Sequence, residues 1–93
     1  MANKRNVKKD IEYLTYEVLN DCFLTIDTHP EKDKENIMKI VSDTIAKRNE
    51  LIARVNVKNL EKKEVKKHFQ EIYSDLTKNT DENFQKLSKL IMG

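Results

Sequence analysis

Ninety-three residues bound the chain to one domain, residues 1–93, with one modest core. Leu, Ile, Val and Phe together number 25, which excludes a disordered chain; 18 basic against 16 acidic residues leave a net charge of +2, the pattern of solvated helix faces rather than of an electrostatic binder. One glycine and one proline leave few places for the chain to reverse, so long helices are favoured.

The first predicted helix runs from about Asn6 to Asp27. Val7, Ile11, Leu14, Val18, Cys22 and Ile26 recur every three or four residues, and Leu19 and Phe23 widen that face. Thr28 with Glu31 has capping-box spacing, and Asp33 is a competing cap, so a second helix begins between Pro30 and Lys34. Its stripe is Ile37, Ile40, Val41, Ile45, Leu51, Ile52 and Val55, and it ends near Val55 to Lys58. Asn59 is the predicted cap of a third helix, whose core face is Val65, Phe69, Ile72, Tyr73 and Leu76. The polar run Lys78 to Asn83 then puts Asn79, Thr80 and Asn83 on the stripe, before Phe84, Leu87, Leu90 and Ile91 resume it.

A single helix from Leu60 to Ile91 would be about 48 Å long, against roughly 33–38 Å for the other two. The third helix therefore either overhangs or breaks near Asn79, where Thr80, Asp81 and Glu82 read as a fresh helix start. Short connections favour antiparallel neighbours. The expected fold is an all-α, antiparallel up-down-up three-helix bundle, with a short fourth C-terminal helix as the alternative.

Catalytic chemistry has little to stand on. His29 falls in the first interhelical turn. Glu64, His68 and Glu71 share a helix face, yet zinc and di-iron sites need more ligands than this, and no Glu-x-x-His motif occurs. Cys22 lies between Val18 and Ile26 and reads as a small buried hydrophobe. Ser42, Ser74 and Ser88 sit mid-helix without a glycine-flanked elbow, and a phosphate-cradling loop needs glycines the chain lacks. The expectation is a non-enzyme with no catalytic, cofactor-binding or metal residues and no small-molecule substrate.

Two basic clusters could meet a phosphate backbone. Lys4, Arg5, Lys8 and Lys9 form one. Arg54, Lys58, Lys62, Lys63, Lys66 and Lys67 form the other, set against only Glu61 and Glu64. No stacking aromatics are interleaved, so nucleic-acid contact ranks behind ordinary solvation. Arg48 falls near the centre of the second helix's apolar stripe, which requires either a stem that snorkels to water or an ion pair with a carboxylate on a neighbouring helix, such as Asp21 or Glu17, within the chain or across a subunit interface. Tyr13, Tyr16 and Leu24 lie off the first helix's core face and, with Arg48, are the candidate interface residues.

The opening Met1-Ala2-Asn3-Lys4-Arg5, followed by Lys8-Lys9 and Ile11, resembles the start of a family of short, uncharacterised helical proteins of anaerobic bacteria. The resemblance covers the first dozen residues, is loose from Ile37 to Val55, and does not extend past Asn59. It implies a compact helical fold and carries no activity, cofactor or site residues.

No apolar run exceeds three residues, as at Cys22 to Leu24, too short for a signal peptide or a membrane span, and a lone cysteine cannot form an internal disulfide. A cytoplasmic location without membrane contact is therefore expected. The leading functional expectation is a non-catalytic protein-interaction or assembly module that binds a protein partner or itself, as in a homodimer. The alternative is a nucleic-acid-associated protein using the basic clusters near residues 4–9 and 54–67.

Overall fold

The computed structural model describes residues 3–31 and 33–92, and they form three helices with no strand among them. Helix α1 spans Lys4–Thr28, α2 spans Lys34–Val55 and α3 spans Lys62–Met92. Each boundary has a local cause. The Asn3 side chain accepts a hydrogen bond from the Asn6 N–H at 2.9 Å and so caps α1. At the far end the His29 N–H donates to the Thr25 carbonyl at 2.8 Å. Asp33 caps α2 by accepting from the Asn36 N–H at 3.2 Å. Thr28 loses that competition because it is the last residue of α1, where its hydroxyl donates back to the Leu24 carbonyl at 2.8 Å.

Asn59 does not cap α3. It stands in the connection with φ 69°, the left-handed conformation that asparagine tolerates better than most residues. It turns the chain there, and α3 is opened by a bond from the Glu64 N–H to the Glu61 carbonyl at 2.9 Å.

The core is two apolar clusters stacked end to end. One unites Val7 and Ile11 of α1, Leu51 and Val55 of α2, and Phe69, Ile72 and Leu76 of α3. The other unites Val18 and Cys22, then Ile37, Ile40 and Val41, then Leu87. The start of α1 thus meets the end of α2 and the start of α3, which is the up-down-up bundle. Its extents are 51 × 19 × 17 Å.

Between the clusters lies a polar layer: Thr15, Thr44, Thr80 and Asn83 are all buried. The Asn83 side-chain amide donates to the Thr44 hydroxyl at 3.1 Å and to the Asn79 side-chain oxygen at 3.2 Å. The Thr44 hydroxyl in turn donates to the Ile40 carbonyl at 2.7 Å. This layer explains why α3 neither breaks near Asn79 nor yields a fourth helix. Asn83, the most deeply buried of the polar residues on its stripe, faces polar partners, and among the described residues no fully buried side-chain nitrogen or oxygen lacks one. At 31 residues, α3 is the longest of the three helices, and like α1 and α2 it runs through both clusters.

Candidate interaction surface

Ion pairs at the rim fix how the helices face each other. The Arg48 Nε donates to Glu12 Oε1 at 2.6 Å, its terminal nitrogen also reaches that carboxylate, and a further N–H donates to the Asn49 side chain at 2.9 Å. Arg48 is therefore paired with a carboxylate of the neighbouring helix, Glu12 rather than Glu17 or Asp21. The antiparallel register places Glu12 level with it and carries the other two acids toward the start of α2. On the opposite side, Arg54 donates to Asp75 at 2.5 Å, and that bond holds the Asp75 carboxyl below the usual range. The Tyr73 hydroxyl donates to Asp10 at 2.5 Å; burial first, and that bond second, push its pKa up to about 12.

The same register exposes a second apolar face. Tyr13, Tyr16, Phe23 and Leu24 are 64%, 57%, 47% and 60% exposed, all on the side of α1 opposite Val7, Ile11, Val18 and Cys22. Stepping along the antiparallel pair from Glu12 and Arg48 brings Tyr16 level with Ile45 and Phe23 level with Met38, both also exposed. Phe23 and Ile45, which periodicity assigns to the core, belong to this outer surface. Their positions sit at the margin of each stripe, and the third helix packs on the other margin.

Charge reinforces the pattern. From Asp10 to Thr28 the chain carries Asp10, Glu12, Glu17, Asp21 and Asp27 and no basic residue, while Lys4, Arg5, Lys8 and Lys9 precede them with no acid between. No acid lies in the first turn of α1 and no base in its last. Helix macrodipoles favour the reverse order. The sequence thus held a readable signal in this outer face, through the charge order of α1.

The other candidate residues disperse. Lys58, Lys62, Lys63, Lys66 and Lys67 are exposed near the second connection, with Lys63 3.4 Å from Glu61. Arg54 is drawn away from them into its pair with Asp75. A ring nitrogen of His68, Nε2, lies 2.6 Å from the Arg54 carbonyl at the end of α2. His68, Glu64 and Glu71 line a shallow hollow together with Lys67 and Leu60. Among the described residues no group of three or more His, Cys, Asp or Glu is placed to hold a metal ion. Cys22 is buried, and burial ahead of the neighbouring Asp21 charge pushes its thiol pKa up, away from reactivity.

Fold and surface together define an all-α three-helix bundle with a second apolar face on its first helix. No protein-family model, curated protein or solved structure matches the chain. No helix among the described residues is long and apolar enough to cross a membrane.

Proposed function

We propose that this chain is a non-catalytic protein-interaction or assembly module of the bacterial cytoplasm whose contact surface is the outer face of α1. The observation that carries the reading is the row of exposed Tyr13, Tyr16, Phe23 and Leu24. Single exposed apolar residues are ordinary, but several large ones on one helix face mark a contact surface, and aromatic residues are enriched in such surfaces. Met38 and Ile45 extend the face onto α2. Arg48 belongs to the scaffold beneath it, holding α2 to α1 through Glu12.

The test is affinity capture from cytoplasmic lysate, with the tagged chain and with its Tyr13→Ser/Tyr16→Ser/Phe23→Ser variant, each with and without nuclease. These side chains are exposed, so the variant keeps its fold by circular dichroism. The expected result is a specific protein, either another polypeptide or untagged copies of the chain, held by the parent in both halves and lost from the variant. Equal recovery on parent and variant rejects the surface.

A second reading, nucleic-acid contact, is favoured by the exposed Lys58, Lys62, Lys63, Lys66 and Lys67. Phosphate-driven binding weakens steeply with salt. Lys62→Glu/Lys66→Glu abolishes low-salt binding of DNA or RNA if this reading holds, and absence of binding by the parent itself at low salt removes it.

A further inference from the structure

The outer row of α1 has an order that a surface for an arbitrary partner does not require. Lys9, Tyr13, Tyr16, Asn20, Phe23 and Asp27 follow one another at spacings of 4, 3, 4, 3 and 4 residues, the spacing of a coiled-coil seam. All six are exposed, and neither Lys9 nor Asp27 takes part in any of the ion pairs described for the molecule. We infer that this row is the seam of a two-fold symmetric homodimer in which α1 packs antiparallel on α1 of a second copy. The inference rests on the interaction surface proposed above and names its partner.

Self-complementarity is the argument. Read antiparallel against itself, the row sets Lys9 opposite the second copy's Asp27, Tyr13 opposite its Phe23, and Tyr16 opposite its Asn20. The two-fold axis then repeats each contact. Every layer is matched: an ion pair at each end, aromatic pairs inside them, and a phenol beside a side-chain amide nearest the axis. A parallel pairing would instead stack Lys9 on Lys9 and Asp27 on Asp27.

The charge order of α1 supports the same arrangement. Bases at its start and acids along the rest oppose its own macrodipole, at a cost to the isolated helix. An antiparallel copy lays the basic end of one α1 along the acidic end of the other, which offsets both the charges and the dipoles. The arrangement creates one unfavourable contact, because Glu17 flanks the seam beside the axis and faces its own mate. A contact of one helix face falls at the small end of stable interfaces, on the order of 1,200 Å² in total, so association is expected in the micromolar range.

The experiment is sedimentation equilibrium at low salt over micromolar to millimolar concentrations, on the full chain and on charge-swapped variants. Lys9→Glu and Asp27→Lys each turn two attractions per dimer into repulsions, and each is expected to weaken dimerisation about tenfold or more. The double variant Lys9→Glu/Asp27→Lys restores the attractions with the partners exchanged and recovers the dimer. So does an equimolar mixture of the two single variants, which forms a heterodimer. Lys9→Glu also removes a base near the helix start, so its effect on association is not a loss of folding. Glu17→Gln tightens the dimer.

A parent chain that stays monomeric throughout overturns the inference. So does a dimer indifferent to the swaps, or one that neither the double variant nor the mixture restores. The underlying surface is judged separately: a monomeric parent whose lysate partner is lost in the Tyr13→Ser/Tyr16→Ser/Phe23→Ser variant rejects the homodimer and keeps the surface, whereas a monomeric parent that holds no partner, or one held equally by the variant, rejects both.

Discussion

Asn83 is 2% exposed and donates to Thr44 and Asn79 from inside the bundle. Removing it strands the Thr44 hydroxyl's acceptor capacity and leaves a cavity, so Asn83→Ala is expected to cost about 1–3 kcal/mol in urea unfolding. Replacing both members with apolar residues, as in Asn83→Leu/Thr44→Val, is expected to be close to neutral, because the buried pair leaves as a whole and only the half-buried Asn79 oxygen loses a donor. A large loss in the double variant would show that the layer contributes through something other than this bond. The Arg48–Glu12 pair is half-exposed, with side chains 38% and 29% accessible, so solvent screens it. Arg48→Met is expected to change stability by no more than about 1 kcal/mol.

Tyr73 gives the molecule an alkaline limit. Its pKa is raised from 10.0 in the unfolded chain to about 12 in the folded one. The folded state holds the phenol proton more tightly, so the associated stability is fully present below pH 10 and is lost as pH rises toward 12. Asp75 works with the opposite sign. Its folded pKa lies below 3.8, so its pairing with Arg54 contributes above that pH and is lost under acid. Thermal melts of Tyr73→Phe and the parent across pH 9–12 should converge at the top of the range, because the variant has no phenol to ionise. Parallel curves would remove Tyr73 as the cause.

At the scale of the element, α3 is the informative case. A polar run of six residues reads as a helix break when only its own stripe is considered. The run is helical because Thr44 of α2 and Asn79 of α3 supply partners for Asn83. Amide hydrogen exchange checks this directly. The amides of Asn79 to Asn83 are expected to be protected to the level of those near Ile72, whereas exchange as fast as at the C-terminus would mean that the helix opens there. The start of α2 is equally specific: Asp33→Ala removes its cap and is expected to cost about 1 kcal/mol by denaturant titration. Both caps at aspartate or asparagine follow a residue preference legible in the chain, but the choice of Asp33 over Thr28 depended on where α1 stops.

For the whole molecule, the two clusters raise the question of whether the halves unfold separately. All three helices contact one another and each runs through both clusters, which couples the ends. Leu51→Ala in one cluster and Ile37→Ala in the other should each cost about 2–5 kcal/mol and shift one shared transition. A second, separate transition in either variant would show the polar layer acting as a hinge rather than as a joint.

Periodicity, the Asp33 cap and the scarcity of glycine and proline determined three helices, their order and most of the core, because an amphipathic helix writes its buried face into its spacing. Val7, Ile11, Val18, Ile37, Leu51, Ile72 and Leu87 all lie where that spacing puts them. The tertiary structure alone decided what depends on neighbours. It set which margin of each stripe is covered, so that Phe23 and Ile45 fall outside. It chose which acid reaches Arg48, and it turned the polar residues of α3 into a joint. A single helix cannot carry that information, because burial at the edge of a stripe, the level of an antiparallel partner and the pairing of a buried amide are properties of two or three helices together.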